Sequence, residues 1–275
     1  MRVLITGSRG QLGQALLARL PGAAGIGRPE VDITQPSSIE AAIDAHRPEV
    51  IIHCAALTDV DGAARDPAAA YRINGLGTQN VALAAARLGA ALVYISTNEV
   101  FDGAKAVPYF EFDAPNPLNP YAATKLAGEW FTQHLTRQFY IVRTSWVTGR
   151  TGRNFVHRIQ QLADQHGKLR VVTDEVACPT FVDDLADGIV KLIATGRYGL
   201  YHLTNAGYCS RFEYAKKILG MSGRSHIPLE PITLAEFARP STPPKFTPLA
   251  NNAAAALGIT LRPWETALAE FLEKA

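Results

Sequence analysis

The opening stretch of the chain limits what it can fold into more than any other. Val3, Leu4 and Ile5 form an apolar run that reads as a buried strand. Gly7, Gly10 and Gly13 follow as a tight turn, and residues 14–20 read as a helix leaving it. A helix N-terminus offers free backbone N–H groups and the positive end of its dipole, so a unit of this kind is an anion site. Glycines let a pyrophosphate approach the backbone with no Cβ in the way. The spacing is G-x-x-G-x-x-G, one residue longer than the common dinucleotide fingerprint, and the same glycines also serve helix–strand packing.

The rest of the chain continues the alternation. Apolar runs at 23–27, 50–56, 91–96, 139–145 and 199–203 read as strands. Residues 37–46, 68–88, 120–135, 155–166, 183–195, 211–220, 250–257 and 264–273 read as helices. Near-continuous apolar strands separated by helices imply βαβ units. The expected fold class is therefore α/β, a doubly wound Rossmann-type parallel sheet. Residues 1–146 form its dinucleotide-binding domain. Residues 147–275 form mainly a smaller C-terminal substrate-binding lobe, interleaved with the sheet. Ligands bind at the carboxyl ends of strands in such sheets, which directs attention to residues 7–13, 28, 55–58, 96–101 and 144–149.

Composition narrows the function classes. No apolar run in the 275 residues approaches the ~20 needed to span a membrane, and the N-terminus carries no signal-peptide pattern. Cys54, Cys178 and Cys209 are odd in number and widely spaced, against a disulfide framework or a zinc site. A cytoplasmic protein is expected. A net charge of +2 is too small to suggest nucleic acid. Residues 1–142 hold 11 Lys+Arg against 13 Asp+Glu, and residues 143–275 hold 16 against 12; the second half is the better place for an anionic ligand.

Tyr121 and Lys125 lie four apart on an expected helix, hence on one face, with Asn119 as its cap and Pro120 in its first turn. A phenol titrates near pH ~10, and a neighbouring ammonium favours its ionised form. A tyrosine tuned in this way exchanges a proton with a substrate oxygen. A surface pair has the same spacing. Ser96 and Thr97 end the preceding strand, where a hydroxyl either meets that oxygen or caps a turn. The order of glycine turn, strand-end hydroxyl and Tyr-x-x-x-Lys is far more specific than any one part.

On these motifs the chain resembles the extended short-chain dehydrogenase/reductases, and among them the dTDP-4-dehydrorhamnose reductases. The stretches that carry the resemblance are Gly7-Ser-Arg-Gly-Gln-Leu-Gly13, Ala55-Ala-Leu-Thr-Asp-Val-Asp61, Ser96-Thr-Asn-Glu-Val-Phe101, Asn119-Pro-Tyr-Ala-Ala-Thr-Lys125, Arg143-Thr-Ser-Trp-Val147 and Cys178-Pro-Thr180. The resemblance implies an NAD(P)H-dependent reductase of a 4-keto sugar nucleotide. In it Tyr121 gives a proton to the C4 oxygen, Thr97 orients that oxygen, and Lys125 holds the nicotinamide ribose and tunes Tyr121. It also implies that Gly7, Arg9, Gly10, Gln11, Leu12, Gly13, Asp32, Ile33, Ala55, Ala56, Leu57 and Thr58 border the cofactor, with Asp32 and Ile33 by the adenine. Trp146 packs on the sugar or belongs to the core. Asn154 and Arg239 meet the nucleotide diphosphate, or Arg239 forms a salt bridge.

The cofactor reading rests on charge. An NAD-selective site carries an acid after the second strand; here that strand ends at Gly27-Arg28. With Arg9 in the turn, two guanidinium groups suit a 2′-phosphate. NADPH is expected, with NADH second. The family usually reads Ser-Thr-Asp-Tyr-Val-Phe where this chain has Asn98 and Glu99, beside the sugar; Glu99 accepts from sugar hydroxyls or points to solvent. Family members with a magnesium-bridged dimer carry an acid where this chain has Gln14-Ala15, so no metal is expected, and a monomer or homodimer is. Two alternatives stand beside the reductase: an enzyme for another nucleotide-linked keto sugar, and a non-catalytic cofactor-binding subunit resembling that of methionine adenosyltransferase.

Overall fold

The computed structural model describes every residue except Arg153 and Ala275. The first half runs β1 (Val3–Thr6), α1 (Gln11–Arg19), β2 (Ala24–Ile26), α2 (Pro36–His46), β3 (Val50–His53), α3 (Val60–Arg65), α4 (Pro67–Ala70), α5 (Gly77–Leu88), β4 (Ala91–Thr97), α6 (Pro120–Leu135) and β5 (Phe139–Thr144). The second half holds β6 (Val147–Thr148), α7 (Phe155–His166), β7 (Leu169–Val172), β8 (Val176–Ala177), β9 (Thr180–Phe181), α8 (Val182–Ala194), β10 (Gly199–His202), β11 (Cys209–Ser210), α9 (Arg211–Met221), β12 (Leu229–Ile232), α10 (Asn252–Ala255) and α11 (Trp264–Glu273).

Six strands form one sheet in the order β10-β5-β4-β3-β1-β2, all of its pairs parallel. Successive side chains of a strand point to opposite faces, and the core divides accordingly. Val3 and Ile5 of β1 and Val50 and Ile52 of β3 pack with Leu12 and Leu16 of α1 and Leu185 and Ile189 of α8. Leu4 and Ile51 face the other way, against Ile39, Ile43, Val81 and Ala85 of α2 and α5. Each such side chain removed from water contributes about 1.5–3 kcal/mol. A separate cluster, with Val156, Ile159, Phe181, Tyr214, Trp264 and Phe271, fills the second half. That half also supplies β10 and α8 to the main sheet, so it is threaded into the first.

Four expected elements differ in their bounds by two residues or more; the helix read at 250–257 shortens to α10, Asn252–Ala255. Helix α1 begins at Gln11, not 14, because Gly10 is its N-cap and Gly13 lies inside its first turn. Strand β3 stops at His53, and one further amide, that of Cys54, still donates to the Thr6 carbonyl of β1 at 3.2 Å. The expected helix 68–88 is interrupted by a π-helical turn, Tyr71–Leu76. Such turns recur at functional sites, and this one aims Asn74 inward. The Asn74 amide exchanges two hydrogen bonds with the Leu57 backbone and donates to Thr124 Oγ1 of α6 at 3.1 Å.

Candidate active site

The direction of strand addition reverses between β1 and β3, and ligands bind at such a switch point. Here a cavity of about 450 Å³ opens, lined by Gly7, Arg9, Gly10, Arg28, Ile33, Ala55, Ala56 and Leu57 among the expected residues. Thr6, Ile26, Gly27, Val31, Cys54 and Ile73 complete it and were missed by the sequence reading. Gly7 has φ +66°, and a Cβ on it would sit 2.6 Å from the Ala55 amide nitrogen. A Cβ on Gly13 would stand 2.5 Å from the Gly7 carbonyl oxygen. Only glycine lets β1, β3 and α1 meet this closely, which leaves the α1 N-terminus open as a cradle for phosphate.

Other expected cofactor residues lie off the cavity wall. Leu12 is buried in the core, and Gly13 is buried beneath the turn. Gln11 lies against Gly149, where a Cβ would meet its Oε1 at 2.6 Å. Asp32 accepts from the Thr34 amide and hydroxyl at 2.9 and 2.8 Å, closing a local turn; Thr58 is exposed. The charge reading also needs a correction. Arg9 donates to the Arg28 carbonyl oxygen and pairs with Glu30, an acid just beyond the Gly27-Arg28 end of β2 that the sequence reading did not weigh. Arg28 makes no side-chain hydrogen bond or ion pair among the described residues.

Beyond this crevice β4 ends in Ser96 and Thr97. The Ser96 hydroxyl donates to Glu129 Oε1 at 2.5 Å, so it serves a buried network. In that network Arg143 makes two bonds to Glu129, at 2.9 and 2.7 Å, with both side chains almost wholly buried. The Thr97 hydroxyl accepts from the Glu99 amide at 3.2 Å and donates to Asn98 Oδ1 at 3.4 Å, and it faces Tyr121 in the first turn of α6. Pro120 opens that helix, and Asn119 caps it by accepting from the Ala122 amide at 2.9 Å. Lys125 is buried one turn on, its ammonium 4.2 Å from the centre of the Tyr94 ring. Burial pulls its pKa down to about 7 against the opposing charges of Glu129 and Cys54. The expectation that an ammonium lowers the Tyr121 pKa fails here. Burial and the Glu99 carboxylate drive it upward, with the Thr97 hydroxyl acting the other way, and the phenol stays protonated.

Around this centre the structure sorts the expected substrate residues. Glu99 points inward. Its Oε2 accepts from the Asn119 amide at 2.7 Å, and burial, then Glu175, raise its pKa while Arg239 and Arg211 oppose. Asn98 is buried; its amide donates to Thr247 Oγ1 at 2.6 Å, and its carbonyl oxygen accepts from the Thr97 hydroxyl at 3.4 Å. Trp146 adopts φ +40°, and the Arg211 guanidinium covers its ring at 3.6 Å while Tyr214 lies parallel at 6.2 Å. A sugar on the covered face would meet Arg211, not the indole. Asn154 is spent on capping α7 and on the Gly149 carbonyl. Arg239 pairs with Asp61 at 3.0 Å, the salt-bridge alternative. Arg211 and Glu175, paired at 2.9 Å, were missed; they are more than thirty residues apart, and no local pattern marks them.

Among the described residues, no group of three or more His, Cys, Asp or Glu could hold a metal ion, and no helix is long and apolar enough to cross a membrane.

A doubly wound sheet with a glycine cradle at its switch point is built for a dinucleotide. One that adds a strand-end hydroxyl, a phenol and a buried ammonium at the end of the same crevice has the architecture of a short-chain oxidoreductase. More narrowly, the chain belongs to the family described as RmlD substrate binding domain, whose model matches residues 1–275. It is 40% identical over 285 residues to the dTDP-4-dehydrorhamnose reductase of Mycobacterium tuberculosis (strain ATCC 25618 / H37Rv), covering 98% of this chain and 92% of that protein. It is 35% identical over 277 residues to the spore coat polysaccharide biosynthesis protein SpsK of Bacillus subtilis (strain 168), with 99% and 97% covered. The crystal structure of dTDP-4-dehydrorhamnose reductase from Bacillus anthracis str. Ames in complex with NADP is similar at a TM-score of 0.96 and 40% identity, covering 100% of this chain and 99% of that one.

Proposed function

We propose that this protein uses NADPH to reduce the 4-keto group of a dTDP-4-keto-6-deoxyhexose, foremost dTDP-4-dehydrorhamnose to dTDP-L-rhamnose. The observation that carries the reading is the placement of Tyr121 beside Thr97 and one helical turn before the buried Lys125, which neighbours Cys54 in the wall of the dinucleotide crevice. The names of the relatives supply the sugar.

NADPH, when bound, supplies the hydride. Gly7, Gly10 and the α1 N-terminus cradle its pyrophosphate, and Arg28 meets the 2′-phosphate. Ile33 and Val31 border the adenine; Ala55, Ala56 and Leu57, pinned by Asn74, line the path to the nicotinamide end. Lys125 lies beneath that end and holds the ribose hydroxyls. Thr97 and Tyr121 both hydrogen-bond the C4 oxygen, and Tyr121 donates its proton as negative charge develops there. Residues 1–146 are the NADP-binding domain in this reading, ending at Trp146, and 147–275 bring Glu175, Arg211 and Arg239 over the sugar. The protein works as a monomer or homodimer without a bridging metal. A reducing cytoplasm suits its three unpaired cysteines.

The test is oxidation of NADPH, followed by absorbance, with dTDP-4-dehydrorhamnose made in place by an epimerase, beside dTDP-4-keto-6-deoxy-D-glucose. Turnover with dTDP-4-dehydrorhamnose is expected, and Tyr121→Phe should lose about 100-fold or more in kcat with NADPH affinity nearly intact. No turnover with either sugar overturns the reading.

A further inference from the structure

We propose that Glu99 is a second acid–base residue of this site, one that removes and returns a proton on a carbon next to the keto group of the bound sugar. The inference rests on the reductase reading and adds an activity to it, hydrogen exchange alpha to the ketone.

The geometry is that of a held base beside an oxygen clamp. Glu99 lies two residues beyond Thr97, and its backbone N–H donates to the Thr97 hydroxyl at 3.2 Å. One carboxylate oxygen, Oε2, is held at 2.7 Å by Asn119, the residue that caps the helix bearing Tyr121. The other, Oε1, has no hydrogen-bond partner among the described residues and keeps some exposure to solvent. Asn119 thus sets both groups: its carbonyl oxygen caps the helix, and its amide steers the carboxylate. Around Glu99 stand Glu175, Arg211 and Arg239, with Tyr121 on its inner side.

Hydrogens next to a ketone become acidic when the ketone oxygen is hydrogen-bonded, and Thr97 and Tyr121 make those bonds for the hydride step already. The carbons next to the ketone flank the oxygen that the clamp holds, and the Glu99 carboxylate is the charge that bears on Tyr121. Burial makes it a stronger base than a solvated glutamate, which suits proton abstraction near neutral pH. The step balances without a redox partner. Glu99 takes the proton, the C–H electron pair becomes the C=C bond of the enol, and the carbonyl pair moves to the oxygen, which takes the Tyr121 proton. Reversal restores ketone and phenol. Water exchanges the proton on Glu99 in between, and because the base lies on one face, the configuration is retained.

The experiment starts from the product. The protein is incubated in D2O with dTDP-L-rhamnose, NADP+ and NADPH deuterated at both C4 positions of the nicotinamide, and proton NMR follows the sugar. Loss of H4 reports hydride transfer; loss of H3 or H5 reports the alpha carbon. We expect H4 and one of H3 or H5 to fall, and Glu99→Gln, which retains an acceptor for Asn119, to lower the ratio of alpha loss to H4 loss at least tenfold. If Glu99→Gln does not bind NADP+, Glu99→Asp is measured by the same ratio. Loss of H4 with H3 and H5 both kept, or an unchanged ratio in the variant, overturns the role of Glu99 and leaves the reductase reading intact. Retention of H4 overturns the reductase reading for this sugar and this inference with it.

Discussion

Arg9, Arg28 and Glu30 decide how the adenosine end of the crevice treats charge. Arg9 and Glu30 are each more than half exposed, so their ion pair is weak and screened by solvent. It nevertheless neutralises a guanidinium that a 2′-phosphate would otherwise engage. Glu30→Ala is expected to raise the ratio of kcat/KM for NADPH over NADH by about 2- to 5-fold, the range such exposed pairs span, and Arg28→Ala to lower it. Initial rates with the two cofactors check this. Lys125 shows a parallel correction. The spacing of Tyr121 and Lys125 put the ammonium on the phenol's face of the helix, yet it rests on the Tyr94 ring with Glu129 and Cys54 near.

At the scale of the element, α6 carries the site and depends on one small residue. A Cβ on Gly128 would lie 2.2 Å from the Tyr94 hydroxyl oxygen and 2.5 Å from its Cζ. Tyr94 is wholly buried and donates to the Lys125 carbonyl at 3.1 Å, so it has nowhere to move. Gly128→Ala is expected to destabilise the protein by about 1–3 kcal/mol, as overpacking does, and to lower kcat by shifting Lys125. Denaturant unfolding and steady-state rates measure the two. Elements of this kind were legible from pattern: α6, its Asn119 cap, α7 and the apolar strands of the sheet other than β3 all stand within a residue or two of their expected places. The π-turn at Tyr71–Leu76 was not, because the alanine-containing helical stretches before and after it read as one continuous helix. What widens the turn is the tertiary demand that Asn74 reach Leu57 and Thr124.

At the scale of the molecule, two buried imidazoles tie stability to pH. His53 lies between the Thr6 and Thr78 hydroxyls, and His202 lies against Phe101 and the Ala250 carbonyl. Burial first, with Lys125 near one and Arg143 near the other, pulls each pKa down to about 3. Unfolded histidine binds a proton below pH ~6.5 while these two stay neutral. They therefore favour the folded state fully above that pH and lose this contribution as pH falls toward 3. Their combined slope is about 2–3 kcal/mol per pH unit between pH 6 and 4. Urea midpoints across that range should fall with pH, and Thr78→Val with His53→Leu should flatten the fall.

By itself the sequence determined the doubly wound fold, the glycine turn after β1 and the placing of Tyr121 and Lys125 one turn apart on α6. Each of these is written in short-range signals: periodicity, caps, and residues one helical turn apart. Only the tertiary structure decided what surrounds them. It set Arg211 on Trp146, Asn119 on Glu99, Asp61 on Arg239 and Glu30 on Arg9, and it turned Asn98 and Asn154 to structural work. Such pairings depend on where distant segments come to rest and on which polar groups burial forces to find partners, and no local pattern encodes that.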